Sequence, residues 1–249
     1  YVHHYEDEIA DLDKGIENAK QPYIEAEKDI CKQCDVIVND KKKTVEDKIS
    51  ALEDKKKQLS LIKSEWEKEK AIHILELVRS ELYMDMPHFL TALNTLVLKE
   101  DERVAVCATN GVYFYYNPLK IIDLFQKNAV FLNRSFLHSI LHCLFSHIWL
   151  KKNRVEFIWN VACDIIVEYT LDSMHKKSVS RILSYVRKDV YREIESLTGI
   201  SCITVYEWLC TRGDIQDLYY EFVVDDHASW PKEQDDKIPQ SSSVQKKWQ

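Results

Sequence analysis

A chain of 249 residues is long enough for one large domain, or one domain with an appendage. With only 4 Gly and 5 Pro it lacks the turn residues that a sandwich, barrel or propeller consumes, so a mainly α fold is expected. No apolar run is long enough to span a membrane, and a formal charge of −7 gives no basic footprint for nucleic acid. The seven Cys, most of them inside apolar runs, suit free thiols in a reducing cytoplasm rather than a disulfide framework.

Charge divides the chain. Residues 1–70 hold 14 Lys and 18 Asp or Glu, so 32 of the 75 charged residues fall in the first 70 positions. Tyr5, Ile9, Leu12, Ile16, Ala19, Tyr23, Ala26 and Ile30 recur in steps of three and four, and Val45, Ile49, Leu52, Leu59, Ile62 and Trp66 resume the pattern after a polar turn at 39–43. This predicts an antiparallel helical hairpin over 1–70 with a coiled-coil seam, a bend at Pro22, and a weak capping box from Thr44 to Asp47. A solvated charged coil is the competing reading.

From residue 71 the pattern becomes globular, and a second domain is expected over 71–232. Ile72, Ile74, Leu75, Val78 and Leu82 continue a helix, and Asp85 is read as the cap of a next helix carrying Phe89, Leu90, Leu93 and Leu96. Asn110-Gly111 between 103–109 and 112–116 predicts one small β-hairpin. Apolar helices follow at about 134–151, with Asn133 as a candidate cap, and at about 155–172. A further helix is expected from Ser180 to Leu197, and a short one opens at a Thr204–Glu207 capping box. Residues 233–249 read as a polar linker.

His138 and His142 stand one helical turn apart, so their side chains converge on one point, as when a helix offers two imidazoles to zinc. By itself such a pair is more commonly two satisfied core or surface histidines. The next helix is apolar except for Asn160, Asp164 and Glu168, which recur every four residues as one polar stripe. A stripe of carboxylates inside a protein needs a cation or donors to compensate it; the bland alternative is an edge facing water. Asp164 is the better third ligand. His147 points away from His138 on a straight helix and is read, with Asn160, as a group behind the ligands. His227, in the polar loop Val224–Trp230, is a candidate fourth ligand or a neighbour of one.

These features resemble, in order, the metallopeptidase domain of bacterial proteins that also carry a C-terminal vWA-like domain. The matching segments are Ala108–Gly111 with Tyr115–Pro118, the His138-x-x-x-His142-x-x-x-x-His147 run, Trp159–Asp164, and Asp225 to Trp230. The resemblance covers about Leu75 to Trp230. It implies a zinc-peptidase-like helical fold with Zn2+ at His138, His142 and Asp164, a peptide substrate or protein partner, a vWA-like domain beyond Gln249, and a MoxR-type AAA+ ATPase as partner.

The chain departs from that family's pattern at one decisive place. The family reads His-Glu-x-x-His, and Ser139 stands where the Glu belongs. That Glu moves the proton from water to the leaving amine, and a hydroxyl does not do so near neutral pH. Glu168, where the family commonly has Asn, is either a relocated catalytic carboxylate or a further ligand. Two functions therefore stay open: a zinc hydrolase, or a non-enzymatic pseudo-peptidase scaffold that docks partners. The lone Cys31-x-x-Cys34 is read as hairpin residues.

Overall fold

The structure is a computed structural model, and it describes residues 2–40, 42–230 and 240–248. The chain forms two compact units, Tyr1–Ile72 and His73–Gln249. Helices α1 (Val2–Asn39) and α2 (Val45–Asp85) bracket the polar turn. Helix α1 runs through Pro22. Thr44 caps α2 as its sequence predicts: the Thr44 amide and hydroxyl donate to Asp47 Oδ2 at 3.2 and 2.9 Å, and the Asp47 amide donates back to Thr44 Oγ1 at 3.2 Å. Within the first unit, Tyr23 and Ile24 of α1 line a common cavity with Leu59, Ile62 and Trp66 of α2. The Cys34 thiol donates to the Ala51 carbonyl at 3.6 Å.

The second unit is built on buried aliphatic and aromatic side chains at helical spacing, among them Ile74, Leu75 and Leu82 on the end of α2. Asp85 is the last residue of α2 and does not cap a following helix. Its carboxylate instead accepts from the Ser178 amide and hydroxyl at 3.1 and 2.8 Å. Pro87–Phe89 form a 3-10 turn, and α3 is one turn long (Leu90–Leu93). The expected helix through Leu96 stops there because 97–100 pairs as a strand.

The expected hairpin is present and is one strand larger. β2 (Cys107–Thr109) pairs antiparallel with β3 (Tyr113–Tyr116), and β1 (Val97–Glu100) adds in parallel on the other side of β3. β1 lacks a two-residue alternation strong enough to announce it. Gly111 has φ of 85°, and a Cβ there would lie 2.7 Å from Trp149, so only glycine fits the turn. Its carbonyl accepts from the Trp248 indole at 2.9 Å.

Helix α4 (Pro118–Leu144) starts earlier than 134. Asn117 caps it, and Pro118 occupies its first position. Asn128 breaks it with non-helical φ/ψ and accepts the Phe131 amide at 3.1 Å, thereby capping the second half. Asn133 therefore lies inside the helix, where its side chain donates to Glu81 and to the Ser178 carbonyl. Ser146, at φ 59°, ends the run and places His147 in a 3-10 turn.

Helix α5 (Glu156–Ser173) packs against α4, α7 (Cys202–Leu209) and α8 (Ile215–Phe222). Ser184 caps α6 (Tyr185–Glu195). The capping box of α7 is formed by Ser201 with Thr204, three residues ahead of the expected one. Residues Gln240–Trp248 form helix α9, and the rest of the expected linker, 233–239 and 249, lies outside the described residues. No described helix is long and apolar enough to cross a membrane.

Candidate metal centre

Three elements deliver the centre. The second half of α4 supplies His138, Ser139 and His142, all fully buried, and α5 supplies Asp164 and Glu168. A loop supplies Asp225 and His227, and the edge of β2 holds it in place. Ala108 bridges Asp226 in parallel, and the Asp226 amide donates to the Cys107 carbonyl at 3.0 Å. Extended backbone turns residues two apart to one side, so Asp225 and His227 both face inward. The Asp226 side chain accepts the Ala228 amide at 2.8 Å, and Trp230 stacks on the His227 ring at 4.0 Å.

His138 Nε2 and His142 Nε2 are 2.8 Å apart. Asp164 Oδ1 lies 3.3 Å from the first, 3.2 Å from the second, and 3.1 Å from His227 Nε2. Asp225 Oδ1 is 3.0 Å from His227 Nε2 and 3.6 Å from His138 Nε2. One atom from each of these five residues lies within 4.8 Å of the others. A tetrahedral ion with bonds of about 2.0–2.1 Å separates its ligands by about 3.3–3.4 Å, so the spacing fits a first-row divalent ion. Asp225 Oδ1 and His227 Nε2 are buried and make no hydrogen bond among the described residues, although they are 3.0 Å apart.

The remaining predicted residues sit around this cluster. Glu168 Oε1 is 2.9 Å from His138 Nδ1, the ring nitrogen that faces away from the cluster. Glu168 Oε2 accepts from Arg134 at 2.8 Å and Arg187 at 2.9 Å. Arg134 also pairs with Asp172 at 2.8 Å, and the Tyr191 hydroxyl donates to Asp172 at 2.6 Å. His147 Nδ1 meets His142 Nδ1 at 3.1 Å, because the helix has ended and the chain has turned back. Asn160 is half-buried and makes no side-chain hydrogen bond among the described residues. The Ser139 hydroxyl donates to Asp225 Oδ2 at 2.7 Å.

Sequence reasoning missed Asp225 as a donor, although it named the loop. The two-residue spacing from Asp225 to His227 is the signal that could have found it. It also missed Arg134, which stands one turn before His138 on α4.

Charge in the cluster is tightly matched. Burial opposes a cation on His138, but Asp164, Glu168 and Asp225 overrule it and raise the ring to about 9. Asp164 and Asp225 likewise overcome burial at His227 and raise it to about 10. Burial lowers His142 to about 3, with the neighbouring His138 and His227 cations adding to the effect. Asp164 and Asp225 stay well below the carboxylate range despite burial, chiefly through His227. Glu168 is lowered against its burial by His138, Arg134 and Arg187. Near pH 7 the metal-free cluster thus stores two protons, on His138 and His227. Exchanging both for a dication removes two positive charges and adds two, so the buried carboxylates stay balanced.

The helical domain closes around a buried His/Asp cluster that could hold a metal ion. The profile of the family described as "Putative metallopeptidase domain" matches residues 71–209. That is more than half of the chain, which belongs to this family. The match takes in His138, His142 and Asp164 and ends before Asp225. Comparison with curated proteins and with solved structures yields no match.

Proposed function

We propose that this chain is a zinc-binding member of its family in which His138, His142, Asp164 and His227 hold the ion and peptide hydrolysis is lost. Three imidazoles and a carboxylate are borderline donors that suit zinc better than magnesium or calcium. When bound, the ion supplies Lewis acidity and acidifies water. Glu168 accepts the Nδ1 proton of His138 and so directs the Nε2 lone pair inward, while Arg134 and Arg187 keep Glu168 ionised. Glu168 is thereby committed to positioning His138 and is not free to shuttle a proton. The observation that carries the loss of hydrolysis is Ser139: it holds the family's Glu position and spends its hydroxyl on Asp225. With Asp225 closing the cluster as a fifth donor, the site has the filled character of a structural metal centre, whereas a catalytic one keeps a position open.

Asp225 also supports a second reading, in which it takes over the proton shuttle from the absent Glu while the other four donors hold the ion. A casein-based peptidase assay on the zinc-loaded protein separates the two. We expect no chelator-sensitive hydrolysis from the wild type. Chelator-sensitive hydrolysis that disappears in Asp225→Asn with zinc retained would establish the second reading, because general acid–base help is worth roughly 10²–10⁴-fold.

For the non-hydrolytic domain we propose a docking role in the cytoplasm, with the vWA-like domain and MoxR-type ATPase implied by the resemblance as partners. The hairpin's exposed Val36, Val45, Ile49, Leu52 and Leu61 support an interaction role for that unit. Light scattering of such a mixture should show a complex that polar substitutions at Ile49 and Leu52 weaken.

A further inference from the structure

A second set of metal-type donors lies outside the cluster described above. One donor atom from each of His147, Cys163 and Cys202 falls within 4.8 Å of the other two, and all three residues are buried. They come from three different elements: the 3-10 turn after α4, the middle of α5, and the first position of α7. No disulfide joins the two cysteines. The Ser201–Thr204 capping box fixes where Cys202 enters α7, and Trp159 donates its indole N–H to the His147 carbonyl at 3.2 Å, which holds the turn in place. The His147 ring also touches His142.

We propose that His147, Cys163 and Cys202 form a second metal site that takes a thiophilic ion such as Zn2+, distinct in donor chemistry from the His/Asp centre. Two sulfurs and one imidazole are the donors that soft and borderline ions select, and they offer nothing to calcium or magnesium. Zn–S bonds of about 2.3 Å set sulfur–sulfur edges of about 3.8 Å in a tetrahedral site, so the set closes onto an ion by small rotations of the thiol side chains. Binding replaces the two thiol protons, which leave to solvent, and no oxidant is involved.

The test uses the full chain, reduced, stripped of metal and titrated with Co2+. Two equivalents should bind, and one of them should bring the intense near-ultraviolet sulfur-to-cobalt charge-transfer band that nitrogen and oxygen ligands cannot give. Cys163→Ala and Cys202→Ser should each remove that band and one equivalent, leaving the other. Conversely, His138→Ala with His142→Ala should remove the other equivalent and leave the band. A Cys31→Ser, Cys34→Ser background should change neither. In the unmutated protein, saturating Zn2+ should shield two further thiols from alkylation, a readout that depends on no variant folding. Uptake of a single equivalent without the band, or unchanged alkylation of all seven cysteines, would overturn the second site while leaving the His/Asp centre standing. A band that survives in both cysteine variants would overturn it as well.

Discussion

The hairpin and the metal centre use charge in opposite ways. The first 70 residues carry 32 charged side chains, and pairs there such as Lys32 with Asp29, 3.5 Å apart, leave both side chains about as exposed as free ones, at 77% and 69%. The centre buries Arg134, His138, His142, Asp164, Glu168 and Asp225 almost completely, and their partners are named atoms within about one hydrogen-bond length. In water a charge needs no particular neighbour. In a protein interior each ion has to be matched, because the effective desolvation penalty is several kcal/mol per ion. Charge density is therefore a poor guide to function, and charge that is both buried and matched is a good one.

The sharpest break in this comparison comes from Arg134→Ala. It takes the shortest guanidinium contact, 2.8 Å, from both Glu168 and Asp172 and leaves them Arg187 and Arg181, so unfolding in urea should show a loss of about 3 kcal/mol, the low end for a broken buried pair. A loss below about 1 kcal/mol would mean that water already reaches the network, and the contrast with the hairpin would fail.

Metal loading comes next. A ligand that binds only the folded state at a thousand times its Kd stabilises by about 4 kcal/mol. Saturating Zn2+ should raise the melting temperature accordingly, and the His138→Ala, His142→Ala double variant should keep only the smaller shift that the His147, Cys163 and Cys202 site supplies. A shift of equal size in that variant would place the responsible ion elsewhere.

The third expectation concerns the metal-free protein and pH. His138 and His227 have folded pKa values of about 9 and 10, above the unfolded value near 6.5. The stability they contribute is complete below about 6.5 and is lost as pH rises through 9 and 10. His142 is shifted the other way, to about 3, so its contribution is complete above about 6.5 and is lost as pH falls from there toward 3. Metal-free stability should therefore peak near pH 6–7 and decline on both sides. Bound zinc should flatten the alkaline side, since the ion then replaces the two protons. A metal-free stability that rises steadily from pH 7 to 10 would refute the assignment of cations to His138 and His227.

Much of the centre was legible in the sequence, because helix periodicity is local. The four-residue spacing of His138 and His142, and of Asp164 and Glu168, determines which side chains share a face. What periodicity could not reveal depends on three-dimensional approach. Asp225 joins the cluster because β2 holds its loop through Asp226, and Arg134 because α4 and α5 lie side by side. The third strand was hidden for a similar reason. Val97–Glu100 is half exposed and weakly patterned, and it becomes a strand only because the β3 edge is there to pair with it. His147 was placed off the metal by the geometry of a straight helix; the left-handed Ser146 is what brings it back against His142.

The smallest effect belongs to the hairpin, and it tests the other half of the comparison. Asp29 and Lys32 are spaced and oriented for a favourable helical pair, with the acid nearer the N-terminus. Such a pair is worth about 0.2–0.5 kcal/mol in an isolated helix, and less once side-chain entropy and salt are counted. At physiological ionic strength the screening length is about 8 Å, so more distant charges on the hairpin add little to it. A double-mutant cycle on Asp29→Ala and Lys32→Ala should give a coupling no larger than about 0.5 kcal/mol, and moderate salt should erase it. The same cycle on Arg134 and Glu168 should give several times that value and hold in salt, because no counterion reaches the pair. A coupling above about 1 kcal/mol at Asp29 and Lys32 would show that these two charges are organised by a contact, not left to solvent, and the hairpin could then no longer be read as the solvated counterpart of the centre.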